Sequence, residues 1–266
     1  MTLPQSIVLG AIQGVAEFLP ISSSGHLAIA AEFMDLAEVP LLFDISLHVA
    51  TLVAVCVVFR SRIVSLFAVL GRLLVGKGRE SDADGRRMIL ALVIATAVTG
   101  AIGLAVKDLA EMMSPFAISL CFVVTGAVLF LSGRLVPSSP VSVPGIRQAL
   151  IVGLAQGIGV FPGISRSGST ISASLLGGLD RRAAGEFSFL LSIPAILAAF
   201  ILELKDADTL IGSVSALPLV AGLVTAFATG LLSLKFLLGL INRGRLGWFA
   251  FYLVPLGIAL ACYFGM

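Results

Sequence analysis

Charge is what this sequence has least of. Only 12% of its 266 residues are Asp, Glu, Lys or Arg, against the ~25% usual in soluble domains. Hydrophobic residues make up 58%, and the mean hydropathy is +1.11. That balance excludes an ordinary soluble globule and leaves a polytopic membrane protein. No Lys or Arg precedes Arg60, so the basic n-region of a secretory signal peptide is missing and no such signal is expected. The three cysteines, Cys56, Cys121 and Cys262, are scattered through apolar runs without metal-ligand or redox spacing, and with two distant histidines they do not suggest zinc. The net charge of +2 says little about partners; the bilayer is one, and nucleic acid is not expected to be.

What is there is long runs of oil. Apolar stretches at about 45–60, 88–106, 115–134, 183–203, 217–241 and 246–264 each approach the ~20 residues that cross hydrocarbon as a helix. The apolar pattern resumes at Ile63 to Val75, which predicts that the first of these helices continues past the interface. Two further apolar regions, 3–34 and 146–179, are interrupted by Pro, Gly and Ser.

The few charges sort by sign. The stretch 60–87 holds Arg60, Arg62, Arg72, Lys77, Arg79, Arg86 and Arg87; Arg134 with Arg147, Arg181 with Arg182, and Lys235 with Arg243 and Arg245 mark three more basic connections. Acidic groups dominate the other connections: Glu32, Asp35, Glu38 and Asp44; Asp108 and Glu111 beside Lys107; Glu203, Asp206 and Asp208 beside Lys205. The positive-inside rule puts the basic set in the cytoplasm. Region 146–179 then begins and ends inside, and 3–34 begins and ends outside. Both read as re-entrant helix pairs, with the N- and C-termini outside.

Those two interrupted regions repeat each other. At an offset of 143, Gly10, Gln13, Gly14, Phe18, Ile21, Ser22, Ser24 and Gly25 meet the identical residues Gly153, Gln156, Gly157, Phe161, Ile164, Ser165, Ser167 and Gly168. Three crossings lie between the copies, and an odd number turns the second upside down. The predicted architecture is therefore all-α: six transmembrane helices plus two re-entrant pairs in an inverted-topology repeat, with halves 1–142 and 143–266.

The polar residues of the chain gather at these breaks. Gln13 and Glu17 are four apart and share a helix face. Pro20 ends that helix, and Ser22, Ser23 and Ser24 lead into the next, whose early turns carry His26. In the second copy Pro162 and Gly163 precede Ser165, Arg166, Ser167, Ser169 and Thr170. A helix N-terminus offers free N–H groups and a positive dipole end that bind phosphate, and Arg166 adds a planar fork for phosphate oxygens. Two such ends converging make a pocket for a strongly anionic, phosphate-like group. The blander alternatives are serines acting as interhelical glue and an Arg166–Glu17 pair that only fixes the repeats together. Ionisable groups inside a membrane point to function instead.

Two stretches, Gln13-Gly-Val-Ala-Glu17 running into Ser22-Ser-Ser-Gly-His26, and Pro162-Gly-Ile-Ser-Arg-Ser-Gly-Ser-Thr170, resemble the motifs of the undecaprenyl-diphosphate phosphatase family of the integral-membrane, bacitracin-resistance type. The segment EFSFLLSIPA from Glu186 is similar as well. The resemblance implies hydrolysis of undecaprenyl diphosphate to undecaprenyl phosphate, a carrier for cell-wall precursors, in the bacterial inner membrane. It also implies a divalent metal, Mg²⁺ or Ca²⁺, and a site opening to the periplasm. Many members have Glu where this chain has Gln13, so the site has one negative charge fewer; Asp44 is a candidate to help. On this reading Glu17 and Gln13 hold the metal, and Ser22, Ser165, Arg166, Ser167 and Thr170 bind phosphate. Either Ser23 attacks with His26 as base, Ser22 being the substitute nucleophile, or His26 activates water. A lipid-phosphate flippase or secondary transporter is the alternative that the same architecture allows, and a homodimer is compatible with the sequence. An intramembrane serine protease would gain nothing from Arg166 and a carboxylate.

Overall fold

A computed structural model of the chain describes residues 1–36, 39–134, 140–203 and 215–266. Of the charges used above, Glu38, Lys205, Asp206 and Asp208 lie outside the described residues, as do 135–139 of the basic connection. The helices are α1 (Leu3–Phe18), α2 (Ser23–Phe33), α3 (Leu41–Val58), α4 (Arg60–Leu74), α5 (Ala83–Glu111), α6 (Pro115–Ser132), α7 (Ile146–Ile158), α8 (Arg166–Leu176), α9 (Arg181–Glu203), α10 (Ala216–Asn242) and α11 (Ala250–Gly265). Among the described residues there is one isolated β-bridge, Val141 to Leu179, and no strand.

Local sequence sets the helix ends. Thr2 caps α1 in a capping box with Gln5, which satisfies donors that the first turn leaves free. Ser114 caps α6 ahead of Pro115, where a missing N–H costs nothing. Among the described residues six helices are long and apolar enough to cross a membrane: α3, α5 with the short turn before it, α6, α9, α10, and Leu246–Gly265. They match the six predicted stretches. The interrupted regions each form two short helices, of 16 and 11 residues in α1 and α2 and 13 and 11 in α7 and α8. At ~1.5 Å per residue none of the four spans a ~30 Å hydrocarbon core.

One expectation is corrected. Ile63–Val75 does not prolong the first spanning helix: α3 stops at Val58, Phe59 leaves helical geometry, and α4 starts afresh at Arg60. The sequence at the break explains it. Arg60 and Arg62 end the hydrocarbon-compatible run, and Arg62 turns to Glu186 of α9 at 2.7 Å. Helix α4 then packs on α5 through Leu66 and Val69 while exposing Val64, Phe67 and Leu74, the amphipathic pattern of a helix lying at an interface. Arg72 grips Asp82 through Nε at 2.9 Å and Nη2 at 2.5 Å, fixing the connection that follows.

The short helices pack across the chain. Helix α1 lies along α10 and α7 lies along α5, while α6 pairs with α11 and α3 touches α9. The repeated glycines make this closeness possible. A Cβ on Gly10 would strike the Gly222 backbone, and one on Gly14 the Ala226 carbonyl and Thr229. In the second copy, Cβ atoms on Gly153 and Gly157 would come within 2.8 Å of the Ala95 carbonyl and 2.6 Å of Ile102. Small residues four apart let helix backbones approach where lipid supplies no hydrophobic drive. Below the breaks, Phe18, Phe187, Phe189, Leu191 and Met88 close the main apolar cluster.

Gly14→Ala is therefore expected to destabilise the detergent-solubilised protein by about 1–3 kcal/mol of overpacking. Gly239→Ala, whose added Cβ meets nothing within 4 Å, should leave the thermal midpoint unchanged or raise it. Thermal unfolding of both variants checks the contrast.

Candidate active site

The two chain breaks end at one cleft. It is lined by Ala16 and Glu17 from the end of α1, Ser22, Ser23 and Ser24 at the start of α2, and Ile164, Ser165 and Arg166 at the start of α8. Each helix is capped in the same way. Ser22 Oγ accepts the Gly25 N–H at 3.4 Å and Ser165 Oγ accepts the Gly168 N–H at 3.0 Å, so the repeated Ser-x-x-Gly spacing is a repeated N-cap. The N–H groups of Ser23 and Ser24, and of Arg166 and Ser167, belong to first turns and have no intrahelical partner.

Ser22 does more than cap. It is a non-glycine residue with positive φ, 70°, a conformation that costs roughly 1–3 kcal/mol and persists only where its surroundings enforce it. Its Oγ also accepts the Gly163 N–H of the opposite break at 3.0 Å. Gly163 itself has φ 89° and abuts the Ile118 carbonyl and Cys121, so only glycine fits there. Thr125 on α6 completes the splice, donating to the Gly163 carbonyl at 2.8 Å and accepting the Ser165 N–H at 3.2 Å.

Glu17 is the centre of the polar set. It is only 5% exposed. Its Oε1 pairs with Arg166 Nη2, and its Oε2 accepts the Ser23 hydroxyl at 2.6 Å and Gln13 Nε2 at 3.2 Å. A buried carboxylate so surrounded is stabilised by charge and by donors, and the arginine likewise needs it. Arg166 Nη1 and Gln13 Oε1 are buried without a hydrogen-bond partner, leaving one donor and one acceptor available to a ligand. Chemically this is a hydroxyl held against a carboxylate, beside a guanidinium and two helix N-termini.

Other predicted residues fall around this centre with different tasks. Ser167 Oγ lies 3.2 Å from Ser165 Oγ. Thr170 Oγ1 turns back to the Arg166 and Ser167 carbonyls and to Ser188 Oγ at 2.5 Å, tying α8 to α9. His26 is not brought to Ser23: its Nδ1 is 2.8 Å from the Ser22 carbonyl and its Nε2 2.8 Å from Tyr252 Oη.

Three further residues stand near the site that motif and spacing do not single out: His48, Tyr252 and Thr125. His48 Nε2 stands 3.8 Å from Glu17 Oε2, with Nδ1 on the Asp44 carbonyl at 2.9 Å. Its signal was available: it is one of two histidines and lies four residues after Asp44. Tyr252 and Thr125 gave none, because only the tertiary fold brings them to the breaks.

No trio of His, Cys, Asp and Glu able to hold a metal occurs among the described residues. The donors that fit a hard cation are one Glu17 carboxylate oxygen and the unpartnered Gln13 Oε1. Mg²⁺ or Ca²⁺ takes oxygen ligands, and one or two protein ligands plus substrate phosphates suffice for Mg²⁺.

The model of the bacitracin resistance protein BacA family matches residues 6–259 of this chain. The undecaprenyl-diphosphatase of Treponema denticola is 56% identical over 264 residues, 99% of this chain and 98% of that one. Those of Desulfatibacillum aliphaticivorans and Carboxydothermus hydrogenoformans are 43% and 36% identical, over 92% and 96% of this chain and 93% and 95% of theirs.

The geometry separates the two neighbouring serines. Ser22→Ala unpairs the Gly25 and Gly163 N–H groups and should lower stability by about 1–2 kcal/mol, the upper range for a lost N-cap. Ser23→Ala should leave the thermal midpoint near wild type. Melting curves of the two variants read this directly.

Proposed function

The chain belongs to the bacitracin resistance protein BacA family, and on that premise we propose that it removes the terminal phosphate of undecaprenyl diphosphate at the Glu17–Arg166 centre. The products are undecaprenyl phosphate and inorganic phosphate, and the protein is a multi-pass membrane enzyme. The single observation that carries the site assignment is the Ser23 hydroxyl donating to a carboxylate already paired with Arg166. Nucleophile, proton acceptor and phosphate clamp stand in one contact chain.

The prenyl tail stays in lipid and the diphosphate enters the cleft. Arg166 exchanges part of its bond to Glu17 for phosphate oxygens and brings its unpartnered Nη1 to them. The first-turn N–H groups of α2 and α8 meet the remaining oxygens, so charge is stabilised where it spreads in phosphoryl transfer. The hydroxyls of Ser22, Ser165 and Thr170 are taken up by the protein, and they serve by holding those N–H groups in place. Ser23 Oγ attacks the terminal phosphorus while its proton passes to Glu17. The bond from that phosphorus to the bridging oxygen breaks and undecaprenyl phosphate leaves. Water then attacks the phosphoserine, inorganic phosphate departs, and Ser23 recovers its proton from Glu17. Glu17 rather than His26 is the base in this scheme because it already accepts the Ser23 hydroxyl. A bound Mg²⁺ or Ca²⁺ would be held by Glu17 and Gln13 and would supply charge neutralisation at the phosphates.

Around the centre we place two inverted halves, 1–142 and 143–266, each opening with a re-entrant pair, α1–α2 and α7–α8. Three observations support this: the shortness of those helices, the reciprocal packing of α1 on α10 and α7 on α5, and the matched serine caps. The charge distribution supports termini outside, and membership of the family is the ground for placing the protein in the bacterial inner membrane with its site open to the periplasm.

Arg166→Ala and Glu17→Gln should each lower phosphate release by at least ~100-fold. The double variant Glu17→Gln/Arg166→Gln, which leaves no unpaired charge, should be equally inactive while keeping its fold. Near-normal release by either single variant contradicts the assigned roles. Acid quench with prenyl [³²P]diphosphate labelled at the terminal phosphate should trap label on wild type and on Ser22→Ala but not on Ser23→Ala. The metal assignment has its own readout: with a non-hydrolysable prenyl methylenediphosphonate present, Mg²⁺ or Ca²⁺ should raise the thermal midpoint of wild type but not of Gln13→Leu.

A further inference from the structure

His26 is held from three sides. A carbonyl oxygen only accepts, so the 2.8 Å contact to Ser22 places the ring proton on Nδ1. The neutral ring then has its lone pair on Nε2, and the Tyr252 hydroxyl donates to it at 2.8 Å. Phe122 of α6 lies against the imidazole at a centroid distance of 4.9 Å, and the Tyr252 ring stacks on it at 5.8 Å and 17°. The carbonyl that receives Nδ1–H belongs to Ser22, the residue with positive φ, and it also accepts the His26 backbone N–H at 3.2 Å.

We propose that Tyr252 of α11 is a positioning residue for the reaction: by donating to His26 Nε2 it fixes the Nδ1–H tautomer that holds the Ser22 carbonyl, and so keeps the strained turn that presents Ser23 to Glu17. This rests on the reading of Ser23 and Glu17 as the hydrolytic pair. The link runs Tyr252 Oη, His26, Ser22 C=O, Ser23. It ties a helix near the end of the chain to the break near its start, across 226 residues. Nothing else in the surroundings of His26 requires a hydroxyl at position 252, since a phenyl ring would preserve the stack.

The test compares kcat, KM and thermal midpoint for wild type, Tyr252→Phe, His26→Asn and the double variant, with prenyl diphosphate in detergent. Tyr263→Phe, on the same helix and outside the site, is the control. Tyr252→Phe should lower kcat roughly tenfold, the low end of the losses seen when a hydrogen-bond partner standing behind a metal-site histidine is removed, with KM and midpoint unchanged. In the His26→Asn background, where the amide still donates to Ser22 but the shorter side chain leaves no acceptor at the Nε2 position facing Tyr252, the second substitution should have no further effect. Side-chain ¹⁵N spectra should place the His26 proton on Nδ1 in wild type and show a displaced Nε2 resonance in Tyr252→Phe. Wild-type kcat in Tyr252→Phe, an equal loss in both backgrounds, or a loss that follows the midpoint overturns the proposal. Wild-type protein that releases no phosphate overturns the assigned reaction instead, and the ¹⁵N spectra then still decide whether the clamp exists.

Discussion

The buried ion pair between Glu17 and Arg166 is the constraint on which the rest of the structure depends. Each charge alone would be costly where it is buried in the protein, and each comes from a different one of the two similar stretches. Their meeting requires that α1 end, and α8 begin, at the same point. Pro20, Pro162 and Gly163 end the helices there. The repeated glycines bring α1 against α10 and α7 against α5, and the hydrogen bonds of Ser22 and Thr125 to the opposite break hold the two ends in register.

This arrangement explains why a chain so poor in charge concentrates polar side chains in two short stretches. Broken backbone in a membrane must find partners inside the protein or line a wet cavity. Here it does both. Serine hydroxyls and Thr125 satisfy some first-turn N–H groups, and the ones left over face the cleft. The device that makes interrupted helices tolerable is thus, on the proposed reading, also the one that receives an anion, and the Ser23 hydroxyl held against Glu17 supplies the nucleophile.

Much of this was legible from residue order. Apolar run lengths located the six long helices to within a few residues, and the constant offset of 143 picked out both breaks and paired Ser22 with Ser165. What could not be read was direction. Sequence spacing placed His26 three residues from Ser23 but could not tell that its ring turns toward α11, where Tyr252 stands. Nor could it separate Ser22 from Ser23, because the positive φ at Ser22 arises from contacts with Gly163 that exist only once the two breaks meet. The end of α3 at Val58 is not legible in the sequence because α4 keeps an apolar face, and periodicity alone does not distinguish a helix that continues from one that turns to lie along an interface.

On the proposed reading the two helix starts and the Glu17–Arg166 pair receive one diphosphate headgroup. The most direct measurement is a structure of the protein bound to a non-hydrolysable prenyl methylenediphosphonate. The terminal phosphonate is expected between Arg166 and the N–H groups of Ser23 and Ser24, with phosphorus in line for Ser23 Oγ. A headgroup held elsewhere, with Arg166 still closed on Glu17 and the cleft empty, would contradict it.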